Sequence, residues 1–290
     1  MRTLLTREDG SVAAINSARL FDIPYFLSTN RPNTSVTLAA YGVSDIISFG
    51  VNGDGPLKLT SIAGQLTGTC LINLSINDGR KRVNMTSCGI HSSTFVGSGL
   101  KPFYLPQELY MDELRRIEAT ITDLSGASNT VRLMLRGSQL RKVQADPRGN
   151  LRDWRKIENR LAFPFIYGID GGSVTVTASS TSEQAITIDP EFDFQLFQIS
   201  GVATSNSYTL DIIDSNTGES LFNSRGDNHY EIASALCVGT NFYPFVLPTP
   251  KLFKRGQKIT LKFTDTSGSD NTIYLSFAGR NIASQIGGSR

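Results

Sequence analysis

Apolar and polar residues alternate with a period of two along much of this chain. Ile259, Leu261 and Phe263 stand against Thr260, Lys262 and Thr264, which gives one greasy face and one wet face, the pattern of a half-buried strand. Residues 35–40, 45–51, 57–64 and 69–76 alternate or run apolar between Gly, Asn and Pro signals and predict further strands, with Asn52-Gly53-Asp54-Gly55 as the clearest turn. Residues 173–178, 185–188, 194–199 and 207–213 play the corresponding parts later in the chain.

The correspondence is a duplication. Residues 101–140 align without a gap on residues 243–282, at a constant offset of about 142 and with roughly a third of positions identical. Pro102, Phe103, Leu105 and Pro106 return as Pro244, Phe245, Leu247 and Pro248. Thr122, Asp123, Ser125, Gly126, Asn129 and Thr130 return as Thr264, Asp265, Ser267, Gly268, Asn271 and Thr272. Upstream, Arg19, Leu20 and Pro24 echo Arg160, Leu161 and Pro164, and Asn84 echoes Asn223. Each half therefore reads as one domain, 1–141 with an N-terminal arm and 142–290 with a connector.

The repeat also decides between two readings of one segment. Alone, residues 108–124 look helical, because Leu114, Ile117 and Ile121 sit three and four apart among good helix formers. The second copy follows Pro248, shared with Pro106, with Pro250 and Gly256 in the columns of Glu108 and Leu114 and then alternates, so residues 116–122 are predicted as a strand. Asp-x-Ser-Gly follows as a turn, and residues 130–135 and 272–277 return as partner strands. About eight short strands per copy predict an all-β chain of two tandem, duplicated, jelly-roll-like β-sandwich domains. A short helical connector between them is predicted from Asn150 as cap, with Leu151, Trp154 and Leu161 near one face and Arg152, Arg155 and Lys156 on the other; Ser11 caps a fainter counterpart over 12–19.

Composition agrees with two globular cores: 290 residues, 39% hydrophobic and 19% charged. No apolar run approaches the roughly 20 residues of a membrane span, and no secretory leader is expected from MRTLLTREDG. Cys70, Cys88 and Cys237 do not occupy matching repeat positions, so buried free thiols made in a reducing cytoplasm are expected rather than a duplicated disulfide framework. A net charge of +2 is too small for bulk attraction to nucleic acid. Arg80-Lys81-Arg82 and the set Lys251, Lys254, Arg255, Lys258 and Lys262 are local clusters without interleaved aromatics, and read as solvated faces or ion-pairing contacts with a partner.

Residues with chemical potential are sparse. His91 and His229 fall in roughly corresponding loops without the companions of a zinc site. There is no G-x-S-x-G and no phosphate-binding loop; Gly168, Gly171 and Gly172 precede a strand and read as a turn. Asp189, Glu191 and Asp193 alternate in a way that suits a hard cation, although a strand edge with its charges in water is the simpler reading. Arg225-Gly226-Asp227 spells an adhesion tripeptide and also reads as a polar turn. A non-enzymatic protein with no catalytic, cofactor or metal residues is the expectation.

The duplicated sandwich, the Pro-Phe-x-Leu-Pro start of a strand, the strand ending in Thr-Asp and the Ser-Gly-x-x-Asn-Thr hairpin together resemble auxiliary virion proteins of tailed bacteriophages, the head-decorating, neck or collar components. The resemblance implies a structural subunit of a phage particle, assembled in the host cytoplasm as a homo-oligomer and bound to other virion proteins such as capsid or portal and head-tail components. No specific nucleic acid and no membrane is implied as partner. Double jelly-roll capsid proteins are a related comparison, and a carbohydrate- or receptor-binding sandwich is the alternative function. Candidate interface residues are Trp154, Arg152, Arg155, Arg80, Lys81, Arg82, His91 and His229, and the ends of the chain are expected against neighbouring copies.

Overall fold

The structure, a computed structural model, describes residues 4–6, 12–14, 20–28, 36–51, 56–77, 82–111, 115–142, 162–205, 207–222 and 231–283. A two-stranded antiparallel pair, β1 (Leu4–Thr6) and β2 (Val12–Ala14), comes first. This corrects the helix expected from Ser11 onward. A β-branched Val at the start and Asp9-Gly10 between the two runs favour a hairpin over helix propagation.

The first sandwich contains β3 (Leu20–Ser28), β4 (Val36–Leu38), β5 (Ile47–Gly50), β6 (Leu57–Leu66), β7 (Cys70–Asn77), β8 (Arg82–Asn84), β9 (Ile90–His91), β10 (Phe103–Met111), β11 (Arg116–Asp123) and β12 (Asn129–Lys142), with a single helical turn α1 (Ser92–Phe95). One sheet runs β10-β6-β12-β3, with β4 also on β12; the other runs β5-β11-β7-β8, with β9 also on β7. The second sandwich contains β13 (Ala162–Gly168), β14 (Val174–Val176), β15 (Thr181–Thr187), β16 (Phe192–Ala203), β17 (Tyr208–Asp214), β18 (Ile232–Ala233), the turn α2 (Ser234–Cys237), β19 (Phe245–Phe253), β20 (Lys258–Asp265) and β21 (Asn271–Ala283). Its sheets run β13-β21-β16-β19, with β14 on β21, and β15-β20-β17-β18. The permutation is the same in both halves. Each first strand pairs with the last, and the long strands β6 and β7, β11 and β12, β16 and β17, and β20 and β21 follow one another into facing sheets, which is the interleaved order of a jelly roll.

Residues 116–122 are extended, as the repeat requires. Every second side chain of β11, Ile117, Ala119 and Ile121, is buried, and β20 buries Ile259, Leu261 and Phe263 in the same register. Each such side chain contributes on the order of 1–3 kcal/mol by leaving water. The cores are not wholly separate: Ile166 and Ala278 of the second half pack into the first core, and Val83 of the first half packs against the second. The turn 52–55, the connector 143–161 with its expected helix, and the ends expected to meet neighbours lie wholly or mostly outside the described residues.

Candidate functional site

The seam between the sandwiches is the part of the structure that neither copy could build alone. β13 is the edge of its sheet, and a bare edge offers unpaired N–H and C=O groups. Residues 85–88 of the first half lie along it. Ile166 N donates to Met85 O at 2.9 Å, Ser87 N donates to Ile166 O at 3.0 Å, and Gly168 N donates to Ser87 Oγ at 3.0 Å. The covered strand is buried on both faces: Phe163, Phe165 and Tyr167 enter the second core while Ile166 enters the first. At Gly168 the approach is close enough that a Cβ would stand 2.7 Å from Ile90 Cδ1 and 2.8 Å from Cys88 Sγ.

Further contacts follow the same seam. His91 accepts from Ser93 N through Nδ1 at 3.3 Å, capping α1, and its ring lies 4.2 Å from that of Tyr274. Burial pushes the imidazole down to about 4, so it is neutral at pH 7. Asn241 Nδ2 donates to Val96 O, and Gln107 Nε2 donates to Ala162 O at 3.4 Å. Lys101 Nζ donates to Tyr243 Oη and lies 4.5 Å from that ring's centroid.

Beside the seam opens a cleft of about 680 Å³. Its wall is a set of rings: Phe163 meets Phe192 edge-on at 5.2 Å, and Phe165 meets Tyr167 at 4.5 Å. Arg82 and Arg115 line it from the first half, and Asp189, Glu191 and Asn281 from the second. Tyr167 Oη accepts Asp189 N at 3.0 Å, and burial pushes its pKa up to about 12. Asn281 is fully buried beneath the cleft, next to Tyr167.

Of the residues singled out by sequence, Arg82 and His91 come to this region. Arg82 Nε donates to Ser75 Oγ at 2.8 Å and pairs with Glu118 at 3.5 Å, on the rim of the cleft. His91 is not in a loop, as its polar surroundings suggested, but in β9 opposite Leu71, and its place in the second copy is taken by Ala233 and not by a histidine. Trp154, Arg152, Arg155, Arg80, Lys81 and His229, and the tripeptide Arg225-Gly226-Asp227, lie outside the described residues.

Asp193 accepts from Lys254 Nζ at 3.1 Å and from Arg255 N at 3.0 Å, and Asp189 Oδ1 accepts Glu191 N at 2.7 Å, so the alternating acids turn to different partners. Lys262 pairs with Glu231 at 2.9 Å, so two members of the basic cluster, Lys254 and Lys262, turn to separate local acids. Among the described residues no three His, Cys, Asp or Glu side chains converge. Cys70, Cys88 and Cys237 are free thiols; burial pushes Cys70 and Cys237 up to about 11 and raises Cys88 as well. The strip 85–88 escaped the sequence reading, because pairing across about 80 residues leaves no local periodicity.

No protein-family model and no curated protein matches the chain. Solved structures share its general architecture at low scores. The major capsid protein P2 of bacteriophage PM2 is 12% identical over 92% of this chain and 100% of that one, with a TM-score of 0.34. The PBSX exported protein XepA is 13% identical over 88% and 86%, with a TM-score of 0.25. PNGF-II is 10% identical over 92% and 66%, with a TM-score of 0.32. Phage and viral proteins stand among these neighbours beside others, and the likeness is too slight to carry a functional argument.

Proposed function

We propose that this chain is a non-enzymatic structural subunit of a virus particle, a capsid-decorating, neck or collar component that works by packing against copies of itself and against other virion proteins. The observation that carries the reading is the seam. Two jelly rolls share core side chains and backbone hydrogen bonds, so the chain is a rigid double block and not a pair of tethered modules. A rigid block with two similar sandwiches suits a shell or ring, where fixed angles between units set curvature. Assembly in the host cytoplasm fits the three free, buried or half-buried thiols. The test is mass spectrometry of gradient-purified particles from the source of the gene: the chain is expected at a stoichiometry of many copies per particle, and its absence from every particle fraction overturns the proposal.

A second reading is favoured by the cleft, where the half-buried ring of Phe192 stands between Arg82 and Glu191. It would hold a sugar, with hydroxyls on these charged side chains and a ring face on Phe192. A glycan array on the full chain decides it, with Phe192→Ala as the variant expected to abolish any signal.

A further inference from the structure

The two copies share a fold but not an environment. In the first, His91, Thr94, Val96 and Leu105 are buried; at the same repeat positions of the second, Ala233 and Leu236 are exposed and Val238 and Leu247 half-buried. The contrast is largest at Thr94, 0% exposed, against Leu236, 72% exposed. The cause lies in the seam: β9, α1 and β10 of the first sandwich are covered by β13, β16 and β21 of the second, whereas the matching face around α2 and β19 has no third sandwich upon it. That face is apolar. Beside Leu236 it presents Tyr243, 65% exposed, and Val246, 59% exposed, with Phe242 and Leu252 close in sequence.

The geometry also gives the symmetry. Lys101 and Tyr243 are 142 residues apart, the repeat offset, and they touch. Were the two sandwiches related by a two-fold axis, the α1 and α2 faces would be buried alike, since a two-fold contact uses the same patch on both partners. They are not, so the seam is a head-to-tail contact, and repeating its rotation places another sandwich on α2.

We propose that the occupant is the first sandwich of a second copy of this chain, docked through its β3, β6 and β12 as β13, β16 and β21 dock within the chain. This inference rests on the assembly reading above and names its interface. On the incoming face Arg132 stands at the repeat position of Tyr274 and donates to Gln65 at 2.9 Å, which leaves its aliphatic stem to lie over the apolar rim around Ala233 and Leu236. Arg136 stands at that of Ala278, which packs into the first core, so the second contact is looser there than the seam.

The seam supplies the test. His91 touches Tyr274, so Ala233 of one chain should touch Arg132 of the next. The full-length double variant Ala233→Cys with Arg132→Cys, oxidised at increasing protein concentration, is expected to give a ladder of disulfide-linked chains, and neither single variant is. Leu236→Asp with Val246→Asp should weaken self-association in sedimentation by roughly 30-fold or more, as removal of central apolar contacts does. Val43→Asp, at an exposed apolar residue bridged to β11 of the facing sheet, should leave association unchanged. Circular dichroism checks that each variant is folded. Chains that associate without the ladder, or that link through Ala233→Cys alone, overturn this interface and leave the assembly reading standing. Chains that remain monomeric at every concentration overturn both.

Discussion

Asp265, at the end of β20, holds the backbone of Ser179 just before the neighbouring strand β15: Oδ2 accepts Ser179 N at 3.0 Å while Ser179 sits at φ 53°, a left-handed conformation uncommon for a non-glycine residue. The first copy repeats the device, with Asp123 Oδ2 accepting Tyr41 N at 3.0 Å and Tyr41 at φ 55°. Each carboxylate also accepts the hydroxyl of the serine two residues on at 2.7 Å, and so ties the hairpin turn to a distant loop. Burial alone would raise these acids, but the hydrogen bonds from serine hydroxyls and backbone N–H groups outweigh it and lower both to about 2.

A carboxyl whose folded pKa lies below its unfolded value near 4 stabilises the fold above that value and loses its effect as pH falls toward the folded pKa. Stability should therefore drop between about pH 4 and pH 2. Asp265→Asn should be less stable than the parent at pH 7, and the gap should narrow as pH falls through this window. Denaturant titrations of both proteins from pH 7 to pH 2 check it; a constant gap would show that the charge is irrelevant.

His91 gives a second window, with the sign worked from its lowered pKa of about 4. The unfolded chain, with an ordinary imidazole near 6.5, binds a proton there that the folded chain refuses, so stability is complete above 6.5 and falls as pH drops toward 4. The loss attributable to this residue is about 3 kcal/mol. In His91→Gln the slope between these values should vanish while the fold persists, and NMR titration of the ring in the parent should show no midpoint above 5.5.

Gly97 and Gly239 carry one requirement twice. A Cβ on either would stand 2.2 Å from the backbone nitrogen of Phe103 or Phe245, which no rearrangement of a flexible side chain can relieve. Alanine at either position should destabilise its sandwich by about 2 kcal/mol or more, with near-additive effects in the double variant if the two sites act independently. Thermal or denaturant unfolding of the three variants measures this.

How much of this was legible before the structure depends on how local each signal is. The strand at 116–122 was recoverable because its twin carries Pro and Gly where the first copy has helix formers, so a comparison within the chain overrode propensity. The jelly-roll class followed from strand number and turn spacing. The partnership of Asp265 with Ser179 spans 86 residues and has no trace in spacing, although Asp265 itself sits in a repeated motif. The edge of β13 and the strip that covers it were invisible for the same reason. His91 looked like a polar loop residue because its neighbours are Ser, Thr and Gly, yet those small side chains are what let the second sandwich approach.

If the seam makes one body of two sandwiches, cutting its backbone pairing should separate their unfolding. Ser87 is the place to cut: its N–H donates to Ile166 O, and its Oγ accepts from Gly168 N. Ser87→Pro removes both bonds without touching either core directly, and two lost bonds at a buried strand cost about 2–3 kcal/mol together. Ile166→Ala instead empties part of the first core from the second half, at about 2–5 kcal/mol. Calorimetry of the parent should show a single coupled transition, Ile166→Ala a lower but still coupled one, and Ser87→Pro two resolved transitions. Independent unfolding of the halves in the parent itself would show that the seam is too weak to make the chain a rigid block, and the structural role proposed for it would lose its support.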